Sequence, residues 1–191
     1  MDMAGERLIS APQNTVWGAL NDPEILKACI PGCESLEATS ENEMTAVTAV
    51  KLGPISARFS GRVRLSDIDP PNGYTLSGEG KGGPAGFAKG AAKVRLSPAP
   101  EGTLLTYTVE AQVGGKIAQL GARLIDATAK SMADQFFTKF TEQVQALVPK
   151  SATASVPREP PRGETKPGNT PWLLAGAAVA VVIAAALFLM Q

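Results

Sequence analysis

From Ile55 to Leu65 the chain alternates without a break, Ile55, Ala57, Phe59, Gly61, Val63 and Leu65 against Ser56, Arg58, Ser60, Arg62 and Arg64. Successive side chains of a strand point to opposite faces, so this segment predicts a strand with one dry and one wet face. Leu105, Tyr107, Val109, Ala111 and Val113 repeat the pattern against Thr106, Thr108, Glu110 and Gln112. Between such runs stand Asp69-Pro70-Pro71-Asn72-Gly73 and Pro98-Ala99-Pro100-Glu101-Gly102, which reverse the chain. Strands joined by short turns pair antiparallel, so Cys33 to Gly114 predicts one antiparallel sheet.

Helices flank that sheet. An opening strand is expected from about Met3 to Ser10. Pro12 or Asn14 then starts a helix carrying Val16, Trp17 and Leu20, and Asn21-Asp22-Pro23 ends it and opens another through Ile25 and Leu26. Ile30-Pro31-Gly32 stops the second. Lys116 to Val148 reads as one long helix with Ile117, Leu120, Leu124, Met132, Phe136, Phe140, Val144 and Leu147 on an apolar stripe. Four-residue steps drift by roughly 40° each, so the stripe winds around the helix. The class is α+β: a curved antiparallel sheet around a long C-terminal helix.

Two further segments follow this domain of residues 1–148. Residues 149–171 are crowded with proline and nearly lack large apolar side chains, which predicts a flexible tether rather than a core. Residues 172–190, WLLAGAAVAVVIAAALFLM, carry no charge. As a helix they would be about 28 Å long, close to the thickness of a bilayer's hydrocarbon core. Gly176, Ala180 and Ala184 recur at helix spacing, which reads first as alanine-rich filler and second as a helix-packing face. A single-pass C-terminal anchor is expected. Arg158, Arg162 and Lys166 on its N-terminal side, and an opening segment without an apolar signal core, place the domain at the cytoplasmic face of the inner membrane.

Composition narrows the chemistry. Eighteen Lys and Arg balance eighteen Asp and Glu, which gives no surplus for nucleic-acid phosphates. Histidine is absent, removing the commonest general base and metal ligand together. Cys29 and Cys33 sit one residue too far apart for a redox CxxC pair and read as small structural residues in a reducing compartment. Gly78-x-Gly80-x-x-Gly83 matches the dinucleotide fingerprint in form only, because Pro84 and Gly86 follow where a helix should open. No metal or catalytic constellation is expected.

The dry faces also carry Ala46, Ala57, Gly61, Gly78, Gly90, Ala92 and Ala111. Interiors pack densely, so small residues on a concave face mean close approach of the helix or a pocket. A pocket would be lined by Phe59, Val63, Leu76, Tyr107, Val109, Leu124, Met132 and Phe136, a surface suited to a lipophilic ligand. Phe87, amid glycines, is either an exposed latch for a membrane or protein partner or a side chain folded into the core. Arg58, Arg62 and Arg64, with Lys93 and Arg95, project from the wet face, either as a solvated surface or for docking an acidic partner or anionic lipid.

Ile30-Pro31-Gly32-Cys33-Glu34, Leu52-Gly53-Pro54-Ile55 and the stretch from Gly78-Glu79-Gly80 to Gly86-Phe87-Ala88-Lys89-Gly90 resemble the carbon monoxide dehydrogenase CoxG family. The element order is similar to the helix-grip fold of the START/SRPBCC superfamily. The resemblance spans about residues 1–147, and a proline-rich linker and terminal span are usual in that family. It implies a non-catalytic adaptor that brings a molybdenum-containing carbon monoxide dehydrogenase, or a related hydroxylase, to the membrane and the quinone pool. The implied ligand is a lipophilic quinone, menaquinone or ubiquinone, with Tyr107 or Thr48 as hydrogen-bond partners for a carbonyl. The alternatives are a membrane anchor without ligand transfer and, least expected, an enzyme.

Overall fold

The computed structural model describes residues 2–148. Strand β1 (Asp2–Ile9) leads into two short helices, α1 (Gln13–Leu20) and α2 (Pro23–Cys29). Six strands follow: β2 (Cys33–Ser40), β3 (Glu43–Leu52), β4 (Ile55–Asp69), β5 (Gly73–Lys81), β6 (Phe87–Ala99) and β7 (Gly102–Gly114). Helix α3 (Ala122–Leu147) completes the domain, and single 3-10 turns occupy Gly83–Ala85 and Ile117–Leu120. The seven strands form one antiparallel sheet in the order β1-β7-β6-β5-β4-β3-β2. The architecture is α+β and fits the helix-grip arrangement. Among the described residues no helix is long and apolar enough to cross a membrane. The expected tether (149–171) and anchor (172–190) lie outside the described residues.

Local chemistry sets the helix limits. Asp22 caps α2 by accepting hydrogen bonds from the backbone N–H groups of Glu24 and Ile25, and Pro23 occupies the first turn, where no N–H is needed. The expected single helix from Lys116 is instead broken at Gly121, whose φ of 85° few other residues adopt. That break resets the helical phase. The buried stripe of α3 is Ile125, Ala129, Met132, Ala133, Phe136, Phe137, Phe140 and Val144, while Leu124 and Leu147 face solvent. Four-residue steps counted from Ile117 therefore miss the true face at both ends. Steps of three and four counted from Ile125 follow it.

The apolar face of the sheet receives α3. Phe137 stacks on Tyr107 with ring centroids 5.3 Å apart. Arg7, from the edge strand β1, ion-pairs with Asp134 and lies 5.4 Å from the centre of the Phe137 ring. The edge strand is thus fastened to the helix by charge and by a cation–π contact. The antiparallel register also sorts the connections. Links β3–β4, β5–β6 and β7–α3 lie at one end of the sheet, and links β2–β3, β4–β5 and β6–β7 lie at the other.

Candidate ligand site

Register turns the scattered small residues into a stripe. One cross-strand row on the helix-facing side runs Met44, Val63, Gly78, Gly90, Ala111. The next row runs Ala46, Gly61, Gly80, Ala88, Val113. Four glycines, at 61, 78, 80 and 90, therefore adjoin in mid-sheet, and none has a positive φ. Their backbone is extended and open to any residue, although glycine weakens a strand interior. What they contribute is the missing side chain.

The core divides at the same place. The larger cluster holds Val63, Leu76, Tyr107, Val109, Phe136 and Phe140, together with α1 and α2 side chains. A smaller one holds Val50, Leu52, Phe59, Ala85, Ile117 and Met132. Ala88, buried in the row between them, belongs to neither. Two apolar clusters separated by a glycine stripe form a dry cradle, and elongated apolar ligands suit such a place. A 410 Å³ cleft between Pro31, Gly32, Lys51 and the α3 residues Thr128, Ser131 and Gln135 reaches Met132 from outside.

Seven of the eight residues expected to line a pocket are buried: Phe59, Val63, Leu76, Tyr107, Val109, Met132 and Phe136. Leu124 is not. It is 39% exposed beside Gly53, a consequence of the phase reset at Gly121. The two expected polar partners also separate. Thr48 is buried opposite Phe59 and adjoins the row of Ala46 and Gly61. The Tyr107 hydroxyl instead lies over Gly5 of the edge strand, where a Cβ would collide with it. Burial pushes the Tyr107 hydroxyl up from its ordinary value, against the lowering influence of Arg7.

The wet face differs from expectation. Each of the three arginines has a carboxylate partner: Arg58 meets Glu34 at 2.7 Å, while Arg62 and Arg64 share Glu43 at 3.2 and 3.1 Å. This is not a free basic patch but a mixed surface. Arg62, Arg64 and Lys89 line a 730 Å³ basin on it with Asp2, Glu79 and Glu110, and Gly78 and Gly90 form part of the same wall. Phe87 resolves as exposed, at 48%, lying on the outer side of the sheet across Gly114. The glycine-rich stretch passes from β5 through a single 3-10 turn into β6, so no helix follows the fingerprint.

Cys29 is buried and Cys33 partly so, and both are free thiols. Burial pushes Cys29 up to about 11 and raises Cys33 as well, so both are protonated near neutrality. Cys33 donates its thiol to the Ser35 carbonyl at 3.5 Å. Among the described residues no group of three potential ligands could hold a metal. The Cys29 shift has a measurable consequence. Its neutral form is favoured by folding, so stability is whole below the thiol's ordinary 9.0 and falls as pH rises towards about 11. We expect a loss of roughly 2–3 kcal/mol across that window. Urea denaturation at both limits checks it, and Cys29→Ala should flatten the slope.

Sequence and structure comparisons agree on the family. The profile of the carbon monoxide dehydrogenase CoxG family matches residues 5–145. A conserved protein of Geobacillus kaustophilus is 34% identical, with a TM-score of 0.72 over 76% of this chain and 96% of its own. Proteins of Thermus thermophilus (19% identity, 77% of this chain and 99% of that one) and Rhizobium leguminosarum (18% identity, 76% and 95%) share the fold, each with a TM-score of 0.58. A search of curated proteins finds no match. With its profile matched from the first strand to the end of the last helix, the chain belongs to the carbon monoxide dehydrogenase CoxG family.

Proposed function

We propose that the domain is a membrane-tethered adaptor that holds a lipophilic quinone, menaquinone or ubiquinone, between its glycine stripe and α3. In this reading it serves a molybdenum-containing carbon monoxide dehydrogenase or a related hydroxylase at the membrane. The family points to a role associated with carbon monoxide dehydrogenase. One observation carries the ligand reading: four glycines with no conformational need for glycine lie together between two unjoined apolar clusters. A prenyl tail gains about 0.8 kcal/mol per methylene buried away from water, and this interior offers apolar surface of that kind. Phe59 and Met132 face it from one side and Val63 and Phe136 from the other. Thr48 is the hydrogen-bond donor for a carbonyl. Leu76, Tyr107 and Val109 form the wall behind the stripe. Met132, at the foot of the outer cleft, marks the entrance.

The partner would dock on the mixed-charge basin with Arg62 and Arg64, whose charges orient an encounter more than they add affinity. A non-catalytic role accords with the absence of histidine from the sequence. The second reading, an anchor without transfer, draws on the burial of all seven inward residues, which leaves Met132 as the one that reaches a described cleft.

Mass spectrometry of lipid extracted from the purified full chain separates the two readings. Recovery of quinone in stoichiometric amount supports transfer. A protein that stays empty after loading with quinone vesicles leaves only the anchor. Deleting residues 172–191 should move the protein from the membrane fraction to the soluble one.

A further inference from the structure

The net charge of zero conceals a polarity along the strands. Residues 50–60, 80–90 and 111–125 contain the connections at one end of the sheet. They hold six cations, Lys51, Arg58, Lys81, Lys89, Lys116 and Arg123, and no acid. Residues 37–45, 65–73 and 98–104 contain the connections at the other end. They hold six acids, Glu37, Glu41, Glu43, Asp67, Asp69 and Glu101, and no cation. At the cationic end Arg58 is ion-paired with Glu34, and Lys89 stands across from Glu79. Lys51, Lys81, Lys116 and Arg123 are exposed and form no ion pair among the described residues, with Asp126 one turn further along α3.

Apolar side chains protrude among these cations. Phe87 and Leu124 are 48% and 39% exposed there, and Pro54 and Pro84 at the turn tips are also exposed. At the acidic end the turn tips are Glu41-Asn42, Pro70-Pro71-Asn72 and Pro100-Glu101. Cations around protruding apolar groups match the headgroup region of an anionic bilayer, which attracts the charges while the acyl boundary takes the rings and aliphatic tips.

We propose that the end formed by the β3–β4, β5–β6 and β7–α3 connections sits on an anionic membrane surface and holds the domain upright, acidic end outward. The chain length permits it. Helix α3 starts at the cationic end, and its 26 residues carry the chain about 39 Å away. The 23 residues 149–171 can span at most about 75 Å, enough to return to the surface. The cleft leading to Met132 includes Lys51, so this orientation turns the proposed entrance towards the lipid. The inference rests on the proposed membrane association but not on the nature of the ligand.

Hydrogen exchange on the full chain tests it, in vesicles of phosphatidylcholine alone and of phosphatidylcholine with phosphatidylglycerol. Each cation near an anionic surface strengthens association roughly fivefold. Two engaged lysines already give more than tenfold. Exchange at 53–57, 82–87 and 115–121 should slow in the anionic vesicles, while 41–43, 70–73 and 100–102 stay unchanged. High salt, or the quadruple variant K51E/K81E/K116E/R123E, should abolish the difference. Unchanged exchange in the interior of β4 and β7 certifies that the variant is folded. The proposal is overturned if the anionic lipid protects the outer sheet face instead, or no segment, in a chain that still floats with the vesicles. A chain that fails to float with either vesicle overturns the membrane association itself. Protection of the cationic end by added dehydrogenase but not by lipid assigns that end to the protein partner and rejects the bilayer.

Discussion

Gly61→Val combined with Gly80→Val should empty the domain of co-purifying quinone, by more than tenfold, while leaving its melting temperature equal to or above that of the parent. The two residues face each other across β4 and β5 in extended backbone. Valine suits that conformation, and replacing glycine in a strand relieves roughly 1 kcal/mol of entropic disadvantage at each site. Folding is therefore expected to gain unless the added side chains meet an occupied space. The ligand loses the same volume that the side chains take. Mass spectrometry of extracted lipid and a thermal melt on the same preparation read the two effects. If the stripe were only a close-packing contact for α3, the order would reverse. The variant would melt well below the parent, because overpacking costs about 1–3 kcal/mol per site, and no ligand would be there to lose. A conservative control, Gly61→Ala alone, should retain most of the ligand and separates volume from chain rigidity.

The stripe shows how far the sequence reaches. The alternation from Ile55 to Leu65 reveals which face of β4 is dry, and the turns at 69–73 and 98–102 show where the sheet folds back. Both follow from period-two chemistry that needs no partner strand. That Gly61 lies beside Gly80 and Ala46, however, depends on register, and register is set by distant pairings that no local pattern encodes. The ion pairs have the same cause. Glu43 stands opposite Arg64 across β3 and β4, so it neutralises a row of arginines that reads in one dimension as a bare basic strand. Charge polarity is hidden more deeply, because cations and acids cancel in the sum and separate only once the hairpins are assigned to ends. Leu124 leaves the expected lining for a different reason. Gly121 at φ 85° divides the final helix, and an apolar stripe extrapolated across such a break loses its phase.

Phe136→Ala carries the largest expected cost to stability, and the dependence of that cost on lipid decides what Phe136 is for. The ring is fully buried, 5.3 Å from Phe140 in a stacked arrangement and 5.1 Å from Phe137 edge-on, and Phe137 in turn stacks on Tyr107 of the sheet. Removing a buried phenyl group leaves a cavity and costs about 3–5 kcal/mol. A domain of this size has roughly 5–15 kcal/mol in total, so the melting temperature should fall by about 10 °C or more. As a pillar of the core, Phe136 would give the same loss in lipid-free and lipid-loaded protein. As a wall of the cradle it faces the ligand, and a bound prenyl chain can settle into the vacated space. The loaded variant should then recover part of the loss, while Phe140→Ala, one turn further from the glycine stripe, should recover none. Equal losses for Phe136→Ala with and without quinone would make the ring a pillar and confine the cradle to the side of Phe59 and Met132.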